Sequence, residues 1–197
     1  MKANKNRKKI ELRELVDPIK KFYRMNNSKE IYFMWVIPIT VVCISLIVGM
    51  IPFIQFKVSV NDFTADILGD YITIMTLFVS FTMGYLSILM TSGSDNVNEL
   101  KARDSKYFID ENGKPYKLFQ IIMTGITYAV IVEICFLIMA VMEKYFITCL
   151  SSSVLKLLCA IDAGIFAHIV IILLIIIKNI YYIFWKPEDG DYSIKNV

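Results

Sequence analysis

Four apolar runs, each about 20 residues or longer, dominate the hydrophobic pattern of this chain. They extend from about Ile31 to Phe56, Tyr71 to Thr91, Leu118 to Met142 and Val154 to Ile177. Helices of that length cross about 30 Å of hydrocarbon, so the pattern predicts an all-α, polytopic membrane protein with four transmembrane helices. The third run contains Glu133, and the fourth contains Asp162 and His168.

Upstream of the first run, Leu12, Leu15, Val16, Ile19, Phe22 and Tyr23 recur at helical spacing, with Lys20, Lys21 and Arg24 between them. This predicts an N-terminal amphipathic helix on the inner leaflet, anchored by about 1 kcal/mol per basic residue of attraction to anionic lipid. A docking site for a partner is the other reading of the segment. The chain then divides into a basic arm (1–30), a transmembrane domain (31–185) with a loop at 92–117, and a tail (186–197). In the loop, Asp95 to Tyr107 is polar and helix-compatible, and would carry the second helix out of the membrane. Asn112-Gly113, flanked by Tyr107-Phe108-Ile109 and Pro115-Tyr116, suits a tight turn needing positive φ, hence a small hairpin.

Composition agrees with a bilayer as solvent. Hydrophobic residues make up 56% of the 197, and the mean hydropathy of +0.57 is too high for a soluble domain of this size. The net charge of +3 is less informative than its placement. Basic residues run from Lys2 through Lys9 and on to Lys29, whereas the connection between the first two spans sets Lys57 against Asp62, Asp66 and Asp70. Lys114 and Lys117 add to the charge of the 92–117 loop, and Lys178, Lys186 and Lys195 follow the fourth span. The positive-inside rule places both termini and that loop in the cytoplasm. Tyr32, Trp35, Tyr181, Tyr182 and Trp185 form an aromatic belt at the same side. The N-terminus lacks the pattern of a cleavable signal peptide and is expected to be retained.

The second span places Thr73, Thr76, Ser80, Gly84, Ser87 and Thr91 along one helix face. Such a stripe serves close packing against another helix or lines a pore formed by several subunits. Glu133 lies deep in the third span, where a charge costs about 2.5–3.5 kcal/mol even on lenient scales, so it is expected neutral, paired or facing water. The short connection from Glu143 to Ser153 makes the third and fourth helices antiparallel neighbours, with Asp162 and His168 as candidate partners for Glu133. Those two residues are about 600° apart around the helix and point to different faces. His168 shares a face with Ala160 and Gly164, which suits a close helix contact. The sharper reading joins Glu133, Asp162 and His168 in a protonatable cluster responsive to pH or voltage.

No catalytic, cofactor or metal site is expected. The chain has one histidine, at lipid depth, and lacks a Gly-rich phosphate loop or paired metal-ligand spacing. Cys43, Cys135 and Cys159 lie within apolar runs and Cys149 in a loop, which gives no disulfide framework. Phospholipid is a nearer polyanion than nucleic acid for the basic arm, so direct nucleic-acid binding is not expected.

A basic cytoplasmic arm, four spans in 197 residues, one sizeable cytoplasmic loop and a composition rich in Ile, Lys, Asn, Phe and Tyr resemble the small four-span membrane proteins of bacterial anti-phage systems. The nearest resemblance, over the whole chain, is to the KwaA family of Kiwa membrane subunits. It implies an inner-membrane homo-oligomer that senses phage-induced disturbance of the envelope and engages a cytoplasmic DNA-binding effector, KwaB, through its cytoplasmic face. A sensor of that kind needs a partner-facing loop, with Lys101, Arg103 and Lys106 as the candidate contacts. Two further classes fit the same layout: a pore-forming effector that uses the Thr73 to Thr91 stripe, and a small transporter subunit or immunity protein.

Overall fold

The computed structural model describes residues 12–26, 28–50, 59–109 and 113–184. Outside them lie most of the basic arm, Lys57 and its connection, Asp110 to Asn112 of the expected turn, and Trp185 with the tail. The described chain runs α1 (Leu12–Arg24), α2 (Ser28–Met50), α3 (Val60–Thr91), α4 (Asp95–Ala102), β1 (Asp104–Ile109), β2 (Pro115–Lys117), α5 (Leu118–Phe146), a 3₁₀ turn (Ile147–Cys149) and α6 (Ser152–Phe184). Four of these helices, α2, α3, α5 and α6, are long and apolar enough to cross a membrane.

Several boundaries differ from the sequence expectation for local reasons. α3 begins at Val60 rather than about Tyr71, because Ser59 caps it. The Ser59 hydroxyl accepts from the Asp62 amide at 3.1 Å and donates to Asp62 Oδ2 at 2.7 Å. Asp62 also opposes the positive end of the helix dipole, so acidic residues that interrupt an apolar run are favourable in a first turn. At its other end α3 does not continue into the loop. Ser92 and Ser94 bond each other (3.0 Å), the Ser94 amide turns onto Ser92 Oγ (3.3 Å), and a separate helix, α4, starts at Asp95. Helix then gives way to an antiparallel hairpin, β1 with β2, rather than running to Tyr107. Gly113, between the strands, holds φ at +75°, a conformation that favours glycine.

α5 and α6 form the central antiparallel pair; α2 lies along α6, α3 along α5, and α1 crosses α5. The closest approach is at Gly164. A Cβ there would stand 2.3 Å from Val42 Cγ2 and 3.3 Å from the Pro38 carbonyl, so only glycine lets α2 and α6 meet. On the side of the chain that carries α1, α4 and the hairpin, one continuous core joins Phe22, Met34, Leu89, Leu100, Ile126 and Ile172. Toward the opposite side, Leu68, Ala140, Ile147 and Leu155 form a smaller cluster. There Lys156 Nζ donates to the Gly49 carbonyl at 3.0 Å, satisfying an end carbonyl of α2.

Candidate functional site

The buried polar side chains of the four long helices fall into three seams. The first begins with a proline. Pro38 inside α2 has no N–H to offer the Met34 carbonyl four residues back, and His168 of α6 fills the gap, with Nδ1 2.8 Å from Met34 O. A carbonyl only accepts, so Nδ1 carries the ring proton. In the neutral ring Nε2 is then the acceptor, facing the Tyr128 hydroxyl of α5 at 3.3 Å. Tyr128 in turn meets the Tyr23 hydroxyl of α1 at 2.8 Å. With the Tyr128 proton committed to His168, Tyr23 donates and Tyr128 accepts. Rings reinforce the series: Phe22 stacks on Tyr128 at 4.0 Å, and Trp35 lies 5.3 Å from His168.

The second seam joins α3 to α5. Glu133 is 0% exposed and its Oε2 lies 2.7 Å from the Thr82 hydroxyl. Thr82 has one proton and is also within reach of the Phe78 carbonyl (2.8 Å) and the Val79 carbonyl (3.2 Å). A neutral Glu133 supplies the missing donor, which fits the expense of a charge at this depth. Its Oε1 has no hydrogen-bond partner. Thr82 also lines an open apolar groove of about 340 Å³ with Phe78, Tyr85, Ile126 and Leu173.

The third seam lies toward the opposite side. Asp162 is 1% exposed, and its Oδ1 has no hydrogen-bond partner among the described residues. One turn away on α6, Cys159 Sγ donates to the Thr64 hydroxyl of α3 at 3.4 Å, and Thr64 donates to the Val60 carbonyl at 2.7 Å.

Glu133, Asp162 and His168 therefore do not bond one another. Glu133 pairs with Thr82 and His168 with α2 and Tyr128, while the Asp162 Oδ1 has no partner among the described residues. The difference of face between Asp162 and His168 is the reason: six residues of helix direct them to different neighbours. Thr82 and Tyr128 were not singled out by the sequence, and Tyr23 was named only as part of the amphipathic segment. One signal was available: Tyr128 is a hydroxyl well inside a span, which demands a partner.

The stripe on α3 faces outward. Thr73, Thr76, Ser80, Gly84, Ser87 and Thr91 are all exposed on the single chain, and a Cβ at Gly84 meets nothing within 4 Å. The hydroxyls of Thr73, Thr76, Ser80 and Thr91 donate to carbonyls four residues back, at 2.7–2.9 Å, so each is satisfied without a neighbour.

Beyond the spans, α4 and the hairpin are fastened to α5. Val97 and Leu100 are buried, the Leu118 amide donates to the Arg103 carbonyl (3.0 Å), and Lys117 Nζ reaches Asp104 Oδ1 (2.7 Å) and the Ala102 carbonyl (3.0 Å). Two of the three loop cations expected to face a partner act within this assembly. Lys101 Nζ sits 5.2 Å from the Phe119 ring centre, and Arg103 pairs with Glu99 at 3.9 Å. The Lys106 side chain lies outside the described residues. What the assembly presents outward is Ile109, 57% exposed at the end of β1, on a sheet of two strands.

A scan of protein-family models gives no match, and neither curated proteins nor solved structures match the chain.

Proposed function

We propose that this chain is a multi-pass protein of the bacterial inner membrane, with both termini in the cytoplasm, that acts as a sensor or anchor subunit in anti-phage defence. In this reading the α1, α4 and hairpin side is cytoplasmic and α1 is an amphipathic helix on the inner leaflet. The distribution of charge supports it: Lys20, Lys21, Lys29 and Lys101 are exposed on that side, against Asp62 and Asp66 at the other end of α3. The observation that carries the reading is the fastened α4–hairpin assembly. A segment of loop has been given its own buried residues and ion pair, yet ends in an exposed isoleucine on a strand whose outer edge has no partner strand among the described residues. An exposed apolar residue on such an edge outside the spans suits strand addition by a soluble partner. In the system that the chain resembles, the partner is a KwaB-like effector.

Ile109→Glu tests the proposal without touching any buried contact. Co-purification of a stoichiometric soluble protein with the tagged chain, and loss of protection against phage together with that protein in Ile109→Glu, is the expected result. Unchanged protection in Ile109→Glu at normal membrane levels would refute the assignment of the hairpin as the docking element.

The outward stripe on α3 favours a second element of the same proposal, self-association into a homo-oligomer through close helix contact. If that contact instead encloses a conducting path, the chain is a pore-forming effector. Replacing Ser80 and Gly84 with leucine separates the cases: loss of oligomer without any ion leak in the wild type supports packing, whereas a wild-type leak abolished by the change supports the pore.

A further inference from the structure

α1 is amphipathic in a specific sense: Phe22 and Met25 are buried against the bundle while Lys20, Lys21 and Arg24 are exposed. Its seat is narrow. Phe22 reaches within 4.0 Å of where a Gly125 Cβ would stand and stacks on Tyr128, and the next residue, Tyr23, opens the hydroxyl series that ends on the Met34 carbonyl. That series crosses α1, α5, α6 and α2, and finishes at the carbonyl left free by Pro38, one turn of α6 from the Gly164 contact. Its longest link is Tyr128 to His168 at 3.3 Å, so it is the link that a small shift of Tyr128 breaks first.

We infer that α1 is a strap held down by anionic headgroups of the inner leaflet, and that the Tyr23–Tyr128–His168 series reports its seating to the Pro38 notch of α2. Headgroup attraction acts on the exposed basic edge and adds to what the buried Phe22 and Met25 contribute on the other. When the attraction is lost, α1 lifts, Tyr23 leaves Tyr128, and the Tyr128 hydroxyl no longer fixes His168. The inference rests on the orientation proposed above and is independent of any soluble partner.

His168 is the only histidine, so selective ¹⁵N labelling of histidine reads the far end of the series in the full chain. The protein is placed in vesicles of phosphatidylcholine with or without phosphatidylglycerol, and amide exchange across α1 is followed beside the His168 resonances. Without phosphatidylglycerol, exchange across α1 is expected to quicken by about 25-fold, from Lys20 and Lys21 each contributing about fivefold. The Nε2 resonance is expected to move toward that of an unbonded ring nitrogen. Tyr23→Phe keeps the ring contacts and cuts the first bond, so α1 exchange keeps its lipid dependence while the Nε2 signal loses it. Tyr128→Phe, a second variant, holds Nε2 at the unbonded position in both lipids. Exchange across α1 that is the same in both vesicles overturns the strap. A quickened α1 with an unmoved Nε2, or a lipid-dependent Nε2 in Tyr128→Phe, overturns the relay.

Discussion

The bundle is finished differently at its two ends. On the side of α1, the helices are overlaid by α1, α4 and the hairpin, and a continuous apolar core runs beneath them from Phe22 to Ile176. On the other side α5 and α6 are joined by a short 3₁₀ turn, and the chemistry there is a buried carboxyl, Asp162, and a thiol–hydroxyl bond over a small cluster. A protein that only had to cross the bilayer would need neither α4 nor the hairpin. The difference teaches that ordered surface is concentrated where the basic residues lie, and that the far end is built to close the hairpin of spans.

The largest change expected is one that damages both ends at once. Gly164→Leu forces α2 from α6 against the Pro38 backbone, and should cost about 3 kcal/mol or more, read as loss of thermal stability in detergent. Gly84→Leu, with open space around it, should leave the stability of the single chain unchanged. Phe22→Ala should cost about 3 kcal/mol of local stability at the overlaid end, where its stack on Tyr128 and its burial are lost. Hydrogen exchange should show that loss across α1 while amides at the start of α6 stay protected. Thr82→Val should cost about 1–2 kcal/mol, since it leaves Glu133 without its remaining partner, and the added change Glu133→Leu should recover most of it. Smallest is Asp162→Asn, an isosteric change at a carboxyl whose Oδ1 has no partner among the described residues. The thermal unfolding midpoint should move little, and a collapse would mean that the Asp162 carboxyl has a further role at the sparse end.

Four spanning helices were legible in the sequence because hydrocarbon thickness fixes the length of the apolar runs. Their ends were less so. A length criterion on apolar residues stops at Asp70, whereas the helix begins at Val60 because a serine cap and the dipole favour Asp62. The three intramembrane polar residues were found, but their partners depended on rotation and register between helices, which periodicity within one helix does not carry. Glu133 met a threonine outside the α3 stripe, and His168 met a backbone carbonyl exposed by a proline that the apolar pattern passes over. The hairpin was expected from Asn112-Gly113 and helix from Asp95, but their fastening to α5 was not, because those contacts are tertiary and local propensity does not carry them.

The account turns on which end of the molecule meets a partner, and photo-crosslinking in living cells addresses that directly. A photoreactive side chain is placed at Ile109 on the hairpin or at Tyr145, 78% exposed near the other end of α5. The account predicts an adduct with a distinct soluble protein from Ile109 and none with a soluble cytoplasmic protein from Tyr145. A soluble partner captured at Tyr145, or adducts from Ile109 only to the chain itself, would contradict it.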